Sequence, residues 1–358
     1  MAGLYIHIPF CKKRCLYCDF YSTTLLQRRE EYVEAVLKEI MARKAGACEP
    51  IRTIYIGGGT PSLIDSIDIF RILRTIGTDD ATEITMEVNP GDVDEKYLRE
   101  LRQCGVNRLS IGVQSFKDEL LQVLGRRHNG IQAINAVHMA QEAGFDNISI
   151  DLMYALPTQK KRLWLSDIEL ALRLNVQHIS SYGLMYEEGT ALTGLRDKGE
   201  IEAIDEETEN EMYDYLCKRL KKAGFVHYEV SNFALPGYEA RHNSSYWDGT
   251  PYIGIGAGAH SYIGTTRSWN PDDLDRYIRG IEAGTLVRES ETLSEKDLYN
   301  ERIMLGLRTR TGVPQSLVKQ DISAYVASKA LTISPEGNIV ATQKGLHILN
   351  RIIEDLMI

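Results

Sequence analysis

The chain has 358 residues, 25% of them charged and 43% hydrophobic, an ordinary globular composition long enough for one large domain plus a smaller one. Its formal net charge of −9 gives no electrostatic footprint for non-specific nucleic-acid binding, so no nucleic-acid partner is expected. No apolar run reaches the roughly 18–20 residues of a transmembrane segment, and the first residues show no secretory leader, which points to a cytoplasmic protein.

Strand-like and helix-like segments alternate along the first 225 residues. A strand over Tyr5–Ile8 precedes a helix over Arg28–Arg43, where Tyr32, Val36 and Ile40 recur at helical spacing. A strand over Thr53–Ile56 ends in Gly57-Gly58-Gly59, and an amphipathic helix follows over Ile67–Ile76. Strands over Glu83–Val88, Arg108–Gly112, Asn147–Leu152 and His178–Leu184 alternate with helices over Glu95–Cys104, Ile131–Ala143, Leu163–Leu174 and Glu206–Ala223. Gly105, Gly144 and Gly224 read as stops after three of these helices. Six strand–helix units in a row argue for a parallel sheet with right-handed crossovers. A doubly wound sheet and a barrel both fit. Polar or glycine-rich residues recur just past each strand, which favours a barrel, where several strand ends converge on one site.

After about residue 225 the pattern changes. Ser231–Gly264 is rich in Gly, Tyr, Asn and His with no helical period. A helix over Ser294–Arg308 is capped by Ser294. Leu331–Ser334 and Asn338–Thr342 bracket the turn Pro335-Glu336-Gly337, and a final helix is expected over Thr342–Ile358. The expected parts are therefore 1–230, 231–290 and 291–358, the last a small winged-helix-like module suited to a protein contact or a lid.

Cys11, Cys15 and Cys18 stand in a CxxxCxxC spacing. Three thiolates are soft ligands for an iron–sulfur cluster, copper(I) or zinc. A closed zinc site or an ordinary cubane needs four protein ligands, so three leave one metal position open. The competing readings are zinc with His7 or a distant residue as fourth ligand, and a disulfide pair with a spare thiol. Cys48, Cys104 and Cys217 are isolated and read as free thiols. No CxxCH is present, which gives no support to c-type haem attachment.

Other candidates lie at strand ends. Gly57-Gly58-Gly59-Thr60-Pro61 allows close backbone approach, and no Lys-Ser/Thr follows to make it a P-loop. Glu87 could accept ribose hydroxyls. Gln114 follows the fourth strand, Asp151 ends the fifth, and Arg126 could pair with a ligand carboxylate. Farther on, His242 could ligate a metal or move a proton. Tyr246 and Trp247 offer flat faces for a large macrocycle, with His242 or Tyr246 as axial ligand to its iron. A buried aromatic corner satisfied by hydrogen bonds is the plainer alternative.

Tyr5-Ile-His-Ile-Pro-Phe-Cys11, the cysteine triplet, GGGTP, EVNP, RLSIGVQSF and DLMYALP together resemble the radical S-adenosylmethionine (SAM) superfamily. The similarity is to the branch containing oxygen-independent coproporphyrinogen III oxidase and covers nearly the whole chain. The HNxxYW stretch, His242-Asn243-Ser244-Ser245-Tyr246-Trp247, resembles the mark of the HemW-type haem chaperones. The resemblance implies a partial, TIM-like (β/α) barrel of six units with a small helical C-terminal domain. It implies a [4Fe–4S] cluster on Cys11, Cys15 and Cys18, with the amine and carboxylate of SAM on the fourth iron. Tyr5 and Tyr17 would flank SAM, and Gly58, Gly59 and Thr60 would contact its methionyl part. Glu87, Gln114, Arg126 and Asp151 would line the rest, with Gly183 and His260 contributing backbone. Haem would engage His242, Asn243, Tyr246 and Trp247, as cargo for an acceptor protein through which the chain could touch a membrane.

Two departures separate the chain from the oxidases of that branch. They carry a fourth cysteine where this chain has Phe20, and an extension ahead of the residue matching Tyr5. Both favour a chaperone over the alternative, an enzyme that oxidatively decarboxylates porphyrinogen propionates. A zinc-stabilised winged-helix binding module is the third reading, and the acidic balance counts against it. Gly312–Leu331 is short for the family, which implies a trimmed C-terminal module.

Overall fold

Six parallel strands carry the architecture: β1 (Ala2–Ile8), β2 (Ile51–Gly58), β3 (Glu83–Val88), β4 (Arg108–Gln114), β5 (Ile148–Tyr154) and β6 (His178–Gly183). They lie side by side in sequence order. The computed structural model describes residues 2–44 and 50–358, so Cys48 falls outside the described residues.

Alternation along these strands decides the layering. Ile54, Ile56, Ile84, Met86, Leu109, Ile111, Ile148 and Ile150 are buried in the main core with the helices. Between them stand Thr53, Tyr55, Thr85, Glu87, Arg108, Ser110, Ser149, Asp151, His178 and Ser180. A side-chain period of two puts this polar set on the opposite, inner face. Register aligns it across the sheet: Tyr5 faces Tyr55, Tyr55 faces Thr85, Thr85 faces Arg108 and Asp151 faces Ser180. The sheet is thus apolar where the helices pack and polar inside.

Helices cover the outer face as the periodicity requires. The helix Ser66–Ile76 buries Ile69, Ile72, Leu73 and Ile76, one stripe at spacings of three and four. The helices Glu95–Gln103, Gly130–Glu142 and Glu206–Lys222 end as expected before Gly105, Gly144 and Gly224, all at positive φ.

The sheet continues on both sides. β7 (Val226–Glu229) and β8 (Asn232–Ala234) extend it antiparallel beyond β6. β9 (Tyr252–Ile255) pairs parallel to β1, followed by antiparallel β10 (His260–Ile263), β11 (Thr266–Trp269) and β12 (Glu289–Thr292). The edge strands β7 and β12 do not pair with each other, so the barrel is partial.

Two expectations need correction. Ser231–Gly264 contains a helix, Arg241–Asp248, although its residues show no helical period. Its first N–H groups donate to Glu83 of β3, from Arg241 and His242 at 2.9 Å each. The cap comes from a distant strand, and Ala240 at the N-cap position makes none. The final helix is broken into Gln343–Leu346 and Leu349–Leu356. Gly345 sits so close to Ala330 that a Cβ there would be 2.1 Å from its carbonyl oxygen. The break lets Leu349, Ile352, Ile353 and Leu356 join a second core with Tyr299, Ile303, Leu331 and Ile339. That core also holds the expected hairpin, Leu331–Ile333 against Asn338–Ala341, and the helix Glu295–Gly306 with Ser294 as its cap. Among the described residues, no helix is long and apolar enough to cross a membrane.

Candidate functional site

β1 delivers the cysteine loop to the C-terminal ends of its neighbours. The loop is tied down by backbone bonds from Cys11 to Thr23 (2.9 Å) and from Leu16 to Leu124 (3.1 Å). Cys11, Cys15 and Cys18 line one cavity of about 500 Å³ with Tyr17, Gly58, Gly59, Thr60, Glu87, Gln114, Arg126, Asp151 and Gly183. Residues from the ends of β2 to β6 therefore meet the triplet at one place, as the strand-end pattern predicts.

All five described cysteines are free thiols, which removes the disulfide reading for the triplet. Burial pushes the Cys18 thiol up to about 11 and that of Cys11 upward as well. Binding a cation here displaces those protons. The Thr60 hydroxyl lies 3.5 Å from Cys11 Sγ, and Arg126 Nη1 donates to Cys15 Sγ at 3.5 Å. No three His, Cys, Asp or Glu side chains converge on a single metal-ion position among the described residues. Thiolates of a [4Fe–4S] cluster bind separate irons and need no such point. Soft donors in one cavity, with a guanidinium beside them, fit that cluster.

The same cavity fits a zwitterionic ligand. Arg126 Nη2 donates to Gly112 O at 2.6 Å, while its buried Nε has no partner. A buried donor without an acceptor is costly, and a ligand carboxylate would satisfy it. Asp151 accepts from Ser110 Oγ at 3.1 Å; burial raises it, and that bond and Arg108 work against the rise. Gln114 holds φ 65, a strained conformation for a non-glycine residue.

Gly58 answers to the protein as well as to any ligand. Its φ is 113, and a Cβ there would lie 2.6 Å from the His7 ring. A Cβ on Gly59 would meet Pro9 C at 2.8 Å. The glycines first let β2 pass the end of β1.

Tyr5 and His260 stand elsewhere. They line a second cavity of about 800 Å³ with His7, Tyr21, Tyr55, Asn243, Tyr246, Tyr252 and Trp269. Asp19, Phe20 and Glu87 line both cavities, so the two adjoin. His242 is fully buried behind this wall. Its Nδ1 lies 2.9 Å from Thr53 Oγ1 and its Nε2 2.9 Å from Tyr246 OH, with Tyr55 stacked at 5.3 Å. Burial, with Arg108 adding repulsion, pushes its pKa down to about 3, so the ring is neutral. Trp247 lines neither cavity. Tyr21, Tyr55, Tyr252 and Trp269 were not singled out from the sequence. The strand alternation could have found Tyr55; nothing local marks the others.

Comparison with known proteins shows the family and the fold. A family description for the Radical SAM superfamily matches residues 5–171. The chain is 36% identical to the heme chaperone HemW of Lactococcus lactis, over 99% of this chain and 97% of that protein. The chain belongs to the HemW family of radical SAM proteins. Heme chaperone HemW of Bacillus subtilis is 35% identical, over 98% of each. In fold, the chain is similar to coproporphyrinogen III oxidase HemN of Escherichia coli, a radical SAM enzyme. The TM-score is 0.82 at 23% identity, over 99% of this chain and 90% of that one.

Within this HemW-family chain, Glu87 is one of two carboxylates, with Asp19, that line both cavities. It accepts from Tyr55 OH at 2.8 Å and from the Gly58 N–H at 3.2 Å. Burial dominates, and its pKa rises to about 7 from an ordinary 4.5. The folded protein thus holds this proton more tightly than the unfolded chain, so its contribution to stability falls as pH rises from about 4.5 through 7. Unfolding of the cluster-free protein between those limits should show the wild type losing roughly 3 kcal/mol relative to Glu87→Gln. Parallel pH slopes for the two proteins would mean that Glu87 ionises as if in water.

Proposed function

We propose that the chain is a haem chaperone that holds a [4Fe–4S] cluster and SAM in the smaller cavity and haem in the larger one. The observation that carries the reading is the adjoining pair of cavities. One gathers three thiols and a guanidinium; the other is walled by tyrosine rings, a tryptophan and two histidines.

In this reading Cys11, Cys15 and Cys18 hold the cluster. Arg126 Nε and the Gly58–Thr60 turn receive the methionyl end of SAM, and Asp151, Gln114 and Gly183 line the remainder. When bound, the cluster and SAM supply one-electron chemistry. Phe20, which is 63% exposed, puts an apolar ring between the cavities where the oxidases of the resembling branch carry a thiol. Exposed Tyr182 and Met185 add apolar surface at the mouth of the smaller cavity, which suits an apolar cargo or its acceptor. Asn243 and Tyr246 face the haem cavity, while His242 acts from behind by fixing the Tyr246 hydroxyl. The middle segment 231–290 supplies one wall of that cavity, and 291–358 is a separate C-terminal part. The work is done in the cytoplasm, with haem passed to an acceptor protein and any membrane contact made through it. The names of the relatives, heme chaperone HemW, support the same reading.

The experiment titrates anaerobically reconstituted protein with hemin and, in parallel, assays coproporphyrinogen III decarboxylation. A saturable Soret band without decarboxylation is expected. Robust decarboxylation, or no saturable band, would sink the proposal.

A further inference from the structure

Ligation of haem iron by histidine needs a ring nitrogen with an unshared electron pair facing the haem. Three histidines lie in or behind the wall of the larger cavity, and their hydrogen bonds separate them. His7 is 3.0 Å from Tyr5 OH through Nδ1 and 3.0 Å from Tyr21 O through Nε2. A carbonyl oxygen only accepts, so Nε2 carries the proton and the Nδ1 pair is taken by the Tyr5 hydroxyl. His242 is 0% exposed, and both of its nitrogens are engaged, by Thr53 and Tyr246. His260 is different. It is exposed, it lines the cavity, and its ring nitrogens have no partner among the described residues.

His260 is also held in place. It pairs with Trp269 across β10 and β11, and the two rings stack at 5.6 Å with 20° between their planes. Its backbone is seated against Gly254, where a Cβ would come within 2.1 Å of His260 O. A ligand on a paired strand with a stacked ring is positioned before anything binds. Trp269, Tyr246 and Tyr252 offer flat surface in the same cavity.

We propose that His260, and not the histidine of the HNxxYW stretch, is the protein ligand to haem iron, an assignment that rests on the haem reading of the larger cavity. The imidazole donates its free electron pair to the iron, and no proton or electron is transferred. His242 then acts as a positioning residue, holding Tyr246 in the wall.

The test compares wild type, His260→Gly and His242→Gln, each titrated with hemin. Soret position, low-temperature EPR and rescue by free imidazole are the readouts. His260 is on the surface, so its loss should leave the fold intact, and circular dichroism checks this. Wild type and His242→Gln should share a histidine-ligated spectrum. His260→Gly should bind about tenfold more weakly or worse, with a shifted Soret band and a changed spin state. Added imidazole should restore the wild-type spectrum. An unchanged spectrum in His260→Gly, or loss of the signature in His242→Gln alone, overturns the assignment while leaving the chaperone reading intact. A wild type that binds no haem overturns that reading, and this assignment with it.

Discussion

Alanine at Cys15 is expected to reduce bound iron and sulfide to background after anaerobic reconstitution, whereas alanine at Cys104 should leave both unchanged. The contrast follows from place. Cys15 faces the cavity with Cys11 and Cys18, and its sulfur accepts from Arg126 at 3.5 Å. Cys104 ends a helix on the outer layer, with its thiol 3.6 Å from Ser66 O. Two remaining thiolates cannot hold a cubane that already lacks a fourth protein ligand. The substitution also leaves Arg126 Nη1 without its sulfur acceptor, beside an Nε that already has none. Iron and sulfide analysis, with the broad visible absorption of the reconstituted protein, reads the result. Full iron content in Cys15→Ala would mean that other residues hold the cluster.

The second large effect concerns stability. Glu39 on the helix Arg29–Lys44 is fully buried. It accepts from the Gly256 N–H at 2.9 Å, Asn270 Nδ2 at 3.0 Å, Tyr277 OH at 2.8 Å and Arg288 Nη2 at 2.8 Å. Alanine would strip the acceptor from four donors at once. Breaking a buried ion pair by removing one partner costs about 3–5 kcal/mol, and urea unfolding should show a loss of that order. The damage should reach the larger cavity too. Asn270 lines it, and Gly256 lies in the turn that leads into β10 and His260. Glu39→Ala should therefore weaken haem binding through the wall rather than through any contact of its own. Stability within about 1 kcal/mol of wild type would show that water satisfies the stranded donors.

The sequence was most legible where a single period set the structure. The strand over Glu83–Val88 has the boundaries expected from its residues, and three of the helices that follow strands end just before the glycines that mark them. The smaller cavity was legible for the same reason: its residues follow strand ends, and parallel strands bring those ends together. The larger cavity was not. Its helix, Arg241–Asp248, buries His242 and Ser245, polar residues that carry no apolar period, and its cap is Glu83, 158 residues away in sequence. β9 to β12 are four residues each, too short for a pattern to accumulate. Tyr5 and His260, expected beside SAM, line the larger cavity, which shares Glu87 with the smaller one. Tyr5 bonds to His7 at 3.0 Å and stacks on Tyr55 at 6.2 Å. Such cross-strand contacts depend on register, which a single chain does not print.

Delivery of haem tests the account most directly. Haem-loaded protein is mixed with membranes from haem-starved cells, the membranes are pelleted, and haem is measured in both fractions. The account predicts that haem leaves the chain and appears in membrane protein with the absorption of an assembled haem centre. Haem that stays with the chain, or that reaches the membranes no differently from free hemin, would contradict it.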